Sequence, residues 1–246
     1  MTDKLGEYLV VANNPDSAAA EAFRILRTNI SLRDFNHEMK VINIISAVAH
    51  ESKSTTIINL AYAFSQLGKK VLLMDMDLRA PTIHKKMHLK NTIGLSEAIS
   101  GAISIKDAFV SVSPNFWVML SGGKMPFASE FIQSNAFVKI LDALKKDFDM
   151  IFIDCPPINL VSDGTYISTL CDGTIFCVAS GKCEKKDLQK AKDMLSQFDV
   201  NILGVVMTRM QVSKKYYNYD YGYGYGYYGD KKKKKTLGAS KTKKKT

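Results

Sequence analysis

Five short apolar runs, spaced by longer helical patterns, constrain this chain more than any other feature. They are Val41–Ile45, Val71–Met74, Met150–Ile153, Thr174–Val178 and Ile202–Met207, with a weaker one at Phe116–Leu120. Apolar runs without polar alternation suit strands covered on both faces. Between them, Ser54–Leu67 reads as an amphipathic helix ending at Gly68, and Phe131–Lys146 and Glu184–Phe198 read as helices. A further helix starts near Asp16 or Ser17, either of which can cap it, and runs to about Leu32. Strands alternating with helices predict an α/β fold with a doubly wound, mainly parallel sheet.

The chain has 246 residues, enough for one domain of about 200 residues plus a tail. We place the domain at residues 1–212 and expect a disordered tail over 213–246, where aliphatic residues give way to Tyr/Gly and then Lys. Residues 230–246 hold nine lysines and one aspartate, so they carry +8 of the net +10 charge. The body is therefore nearly neutral. No apolar run approaches the roughly 18 residues of a membrane span, and the N-terminus does not read as a signal peptide. Cys155, Cys171, Cys177 and Cys183 form no CxxC pair, which favours reduced cytosolic thiols over a zinc site.

Eight of the eleven tyrosines fall within thirteen residues: Tyr216, Tyr217, Tyr219, Tyr221, Tyr223, Tyr225, Tyr227 and Tyr228. They alternate with Gly, Asn and Asp, a pattern that no hydrophobic core can use. A series of exposed phenols reads as a substrate rather than a scaffold. The lysine block beyond it is a separate run, not interleaved with aromatics as nucleic-acid stacking surfaces are. It reads as a solvated tail, or as a patch attracted to an anionic membrane surface. No nucleic-acid partner is expected.

The segment from Ala47 to Thr55 follows the first apolar run and opens its helix, which is the place of a phosphate-binding loop. Ala49, His50, Glu51, Ser52, Lys53, Ser54 and Thr55 are the candidate nucleotide contacts. Lys53 can reach the β- and γ-phosphates, and the Ser54 hydroxyl can ligate Mg²⁺. The helix start adds aligned N–H donors. The usual GxxxxGK[ST] pattern has glycine where Ala47 and Ser52 stand, and often where His50 stands. If position 52 needs a positive φ, serine there costs roughly 1–2 kcal/mol. Alone, the motif is also compatible with an ordinary Lys-Ser-Thr helix start.

Two acid clusters sharpen the reading. Asp75, Asp77 and Arg79 end the second apolar run, and alternate residues of an extended chain can converge on one side. Asp154, ahead of Pro156-Pro157, ends another run. Ligands of open α/β sheets bind at the carboxyl ends of strands. Each acid alone could be a strand-end solvent residue or a helix cap. Together with Lys53 and Ser54 they make a site for Mg²⁺ and ATP.

This combination resembles the bacterial tyrosine kinase family, the P-loop NTPase-like autokinases of capsule and exopolysaccharide systems. Glu21, Arg24 and Arg27 match the family's ExxRxxR motif. The Lys53 loop stands at Walker A, Asp75–Arg79 at Walker A′ and Asp154 at Walker B, and the tyrosine cluster closes the chain. Spacings of three and six place Glu21, Arg24 and Arg27 on one helical stripe, where the plainer reading is an exposed ion pair. The resemblance implies instead a contact with a neighbouring subunit in a ring-like homo-oligomer.

The resemblance further implies trans-autophosphorylation of the tyrosine cluster, using ATP and Mg²⁺. Lys53, Asp75, Asp77 and Arg79 would be the catalytic set, with Asp75 accepting the tyrosine proton and Arg79 neutralising charge or orienting the acids. Ser54, Asp77 and Asp154 would hold Mg²⁺. Thr208 and Arg209 stand where relatives often carry an adenine-reading Asn, and residues 122–130 match a family loop only loosely. Implied partners are a transmembrane chain-length-determinant-type activator and a cognate tyrosine phosphatase, which places the chain in the cytoplasm at the inner membrane face. The competing readings are a partitioning- or division-type ATPase of the same superfold and a catalytically impaired scaffold. The ATPase would carry an early signature lysine where Val48 stands.

Overall fold

Each apolar run becomes a strand of one seven-stranded sheet, ordered β3-β4-β2-β5-β1-β6-β7 in the computed structural model. The described residues are 6–211, and the compact unit ends at Arg209. Its elements are α1 (Val10–Asn13), α2 (Ala18–Arg33), β1 (Val41–Ser46), α3 (Lys53–Ser65), β2 (Val71–Asp75), α4 (Ile83–Lys86) and α5 (Leu95–Ile99). A 3-10 turn (Ile105–Ala108) precedes β3 (Phe109–Ser113) and β4 (Phe116–Met119). Then come α6 (Ala128–Ile132), α7 (Asn135–Asp147), β5 (Met150–Asp154), α8 (Asp163–Thr169), β6 (Gly173–Ala179), α9 (Lys185–Leu195) and β7 (Ile202–Thr208). All neighbouring strands pair in parallel except β3 with β4.

The central strands feed two cores because successive side chains point to opposite faces. Val41 and Ile45 of β1 join one core with Phe137 and Leu141 of α7 and Leu195 of α9. Ile42 and Ile44 join the other with Ile30 of α2 and Ile57 and Phe64 of α3. The helices therefore cover both faces, which is the doubly wound arrangement.

Several local expectations are corrected. Residues 131–146 form not one helix but the end of α6 and most of α7. Ser134 interrupts them, because its hydroxyl caps α7 by accepting from the Phe137 N–H. The helix expected over 54–67 is not half-exposed: most of α3 is buried, because α1 and α2 pack over its outer side. The end of Ile202–Met207 is also not covered on both faces. It belongs to β7, an edge strand whose Val205 and Met207 are exposed. The residues that start α2 behave as read, with Ser17 accepting from Ala20 N–H. The tyrosine cluster, the lysine block and the tail from residue 213 lie outside the described residues.

Candidate nucleotide and phosphoryl-transfer site

The loop between β1 and α3 wraps the carboxyl edge of the sheet and opens into a cavity of about 500 Å³. His50 and Ser52 take φ of 63° and 66°, the left-handed region. Of the three positions flagged for their missing glycines, these two adopt the backbone that glycine favours, whereas Ala47 does not. Arg209, at the end of β7, also has a positive φ and donates from Nε to Ser52 Oγ at 3.3 Å.

What fixes this glycine-poor loop is Glu51. The residue is fully buried. Its carboxylate accepts from Val48 N–H and Ala179 N–H, both at 3.0 Å. Its carbonyl accepts from the Cys177 thiol and the Thr208 hydroxyl. Glu51, expected among the nucleotide contacts, lines the cavity while its carboxylate pins the loop to β6, and Thr208 is engaged behind the loop rather than in the cavity lining.

Lys53 is buried and Ser54 half-buried at the start of α3. Both line the cavity, along with Ala49, His50, Glu51, Ser52, Thr55, Asp77, Arg79 and Arg209. Asp75 and Asp154 are register partners at the ends of β2 and β5, and each is only 1% exposed. Asp75 Oδ2 accepts from the N–H groups of Thr82 and Ile83. Asp75 lies beneath the lining, whereas Asp77 faces the cavity.

The electrostatics follow from this crowding. Burial pushes the Asp154 pKa up to about 6, with Lys53 and a Ser54 hydrogen bond pulling the other way. Burial, then the neighbouring Asp154 charge, raises Asp75 well above its ordinary value. Burial also raises Asp77, against the Ala80 N–H and Lys53. Asp75 Oδ1 and Asp154 Oδ1 are buried with no hydrogen-bond partner. The unpaired Asp154 oxygen, on a carboxylate next to the Ser54 hydroxyl, fits a hard divalent cation. No group of three or more His, Cys, Asp or Glu forms a metal cage among the described residues. Magnesium that keeps waters and takes substrate phosphates needs none.

Several lining residues escaped the sequence reading, among them Tyr8, Thr82, Lys86 and Leu160. Tyr8 and Lys86 close one side of the cavity, with Lys86 Nζ 4.2 Å from the Tyr8 ring centroid. Tyr8 is placed there by Asn59 of α3, whose amide donates to Tyr8 O and whose Oδ1 accepts from Val11 N–H. No local motif announces such a strap. Pro156 and Pro157 also line the cavity; their place directly after the Asp154 strand was the available signal.

The ExxRxxR residues bond within the chain. Glu21 and Arg24 form an ion pair at 2.9 Å. Arg24 also donates to Pro15 O, and Arg27 donates to Ala63 O near the end of α3.

A parallel sheet with a lysine-serine helix start and strand-end acids defines a P-loop NTPase-like domain. A family model described as an AAA domain matches residues 39–175. The chain is 36% identical over 212 residues to the tyrosine-protein kinase YwqD of Bacillus subtilis, spanning 86% of this chain and 90% of that one. It is 37% identical over 201 residues to the tyrosine-protein kinase CpsD of Streptococcus pneumoniae, spanning 81% and 88%. The crystal structure of the chimerical protein CapA2B2 matches with a TM-score of 0.79 at 33% identity, over 84% of this chain and 93% of that one. The chain belongs to the bacterial tyrosine-protein kinase family. Among the described residues, no helix is long and apolar enough to cross a membrane.

Proposed function

We propose that this chain transfers the γ-phosphoryl group of ATP to tyrosine, with its own cluster Tyr216–Tyr228 as acceptor in trans, and so regulates capsule or exopolysaccharide synthesis. The observation that carries the reading is the meeting of Lys53, Ser54 and Asp77 in one cavity lining with the buried, paired strand-end acids Asp75 and Asp154 next to them. Loop N–H groups and Lys53 bind and orient the phosphates. Ser54, Asp77 and Asp154 would hold Mg²⁺, which when bound would supply charge neutralisation for the phosphates. Asp75, with its unpartnered Oδ1, accepts the phenolic proton. Arg79 offsets charge on the transferring group. Arg209, facing the cavity from the end of β7, contacts the nucleotide. Positioning and electrostatics do the work, with no covalent enzyme intermediate.

The proposal extends to assembly. The Glu21–Arg27 stripe of α2 contributes to a ring-like homo-oligomer that brings one chain's tail to its neighbour's site. A transmembrane chain-length-determinant-type protein activates the kinase at the inner membrane face, and a tyrosine phosphatase reverses the modification.

The test is incubation of the full chain with Mg-ATP, with and without the cytoplasmic tail of such an activator, followed by phosphosite mapping. Label on Tyr216–Tyr228 that is lost in Lys53→Met is the expected result. ATP hydrolysis without tyrosine label would overturn the reading in favour of a partitioning-type ATPase, and neither label nor nucleotide binding would leave a scaffold.

A further inference from the structure

Arg79 does not stand alone at the cavity rim. Its Nη2 donates to Ser129 Oγ at 2.7 Å, and Ser129 Oγ donates to Asp163 Oδ1 at 2.6 Å. Arg79 Nε meets Asp163 Oδ2 at 3.5 Å, which closes a triangle. The Asp163 side chain is 3% exposed and that of Arg79 55%. A buried carboxylate without a cationic partner would be costly, so the geometry ties the two residues together. Asp163 and Ser129 both lie outside the cavity lining, on α8 and α6, whereas Arg79 lines it.

The platform under Asp163 is rigid. A Cβ at the next residue, Gly164, would come within 2.9 Å of Pro156 O and 3.0 Å of Ile158 Cγ2. The first turn of α8 is therefore pressed onto the exit of β5, the strand that carries Asp154. The guanidinium is held along one side, by Nε and Nη2, and Nη1 bonds to none of the described residues.

We propose that Asp163, together with Ser129, is the positioning pair that presents the Arg79 guanidinium to the transferring phosphoryl group. This rests on the kinase reading above. An arginine on an irregular segment has several torsions to freeze, and the pair freezes them before substrate arrives, which matters most in the transition state. Helix α6, through Ser129, thereby joins the catalytic apparatus without touching substrate.

The test is a double-mutant cycle on the full chain, reading tyrosine label against ATP concentration. Asp163→Asn and Ser129→Ala should each lower kcat about tenfold, with the KM for ATP changed less than about twofold. In an Arg79→Ala background, Asp163→Asn should add less than about a twofold further loss, because nothing remains to position. A purely structural role for Asp163 gives losses that multiply across the cycle, and that result overturns the proposal. So does a rise in KM alone. Thermal unfolding and ADP binding report whether Asp163→Asn folds; if it does not, the cycle is run with Ser129→Ala. Wild-type chain without phosphotyrosine overturns the kinase reading and the positioning role with it. Wild-type label with multiplying losses overturns the positioning role alone.

Discussion

Ser52 adopts a left-handed backbone at φ 66° where relatives of the motif place glycine. The strain costs about 1–2 kcal/mol, partly offset because glycine loses more entropy on folding. Ser52→Gly should therefore raise unfolding stability by roughly 0.5–1 kcal/mol, visible as a higher denaturant midpoint; an unchanged or lower midpoint counts against strain at this residue. Asp154 makes a pH prediction. Its folded pKa of about 6 lies above the ordinary 3.8, so the folded state holds the proton more tightly than the unfolded chain. That stabilisation is full below about pH 4 and is lost as pH rises through about 6. Thermal melts in metal-free buffer should show stability falling across that window. The fall should be smaller in Asp154→Asn, and magnesium should reverse it at neutral pH. Equal pH slopes for wild type and variant would exclude Asp154 as the source. Lys53, Ser54, Asp75, Asp77 and Asp154 were legible as residues because their chemistry is tied to strand and helix ends. Glu51 was legible as a loop member, but its function was not: the groups it bonds, Ala179 N–H and the Thr208 hydroxyl, are distant in sequence.

At the scale of elements, the phosphate loop owes its shape to β6 and β7 as much as to its own sequence. Glu51→Ala would leave the buried N–H of Ala179 and the half-buried N–H of Val48 without this partner. The expected cost is about 2–4 kcal/mol of stability, at about 1–3 kcal/mol per orphaned group. Nucleotide affinity should drop as well, measured by ADP titration; a stable variant with unaltered affinity would show that the clamp is dispensable. The helix and strand periods gave most elements. The Ser134 break between α6 and α7 and the β3–β4 hairpin did not stand out. In both, the signal was present: a Ser-Asn cap in one, and Phe-Val-Ser-Val-Ser followed by Pro-Asn in the other. The long helical period and the weak, half-exposed strand masked them.

For the whole molecule, Arg27 separates folding from assembly. Its bond to Ala63 O is intramolecular, so Arg27→Ala should lose roughly 1 kcal/mol of stability at every protein concentration. If the α2 stripe also builds a ring, light scattering should show a smaller assembly in the same variant. Wild-type mass with only the stability loss would confine Arg27 to the fold. The apolar strand periods, the caps and the loop-plus-acid motifs determined the sheet, its covering helices and the carboxyl edge as the site, because each depends on neighbours within a few residues. Tertiary structure alone decided which residues meet there. It brought Tyr8 and Lys86 to the cavity, tied the Glu51 carboxylate to β6, buried Asp75 below Asp77, left β7 exposed as an edge and bound Arg79 to Ser129 and Asp163. Those pairings join segments up to 157 residues apart. They are set by strand order and packing, neither of which leaves a local mark in the sequence.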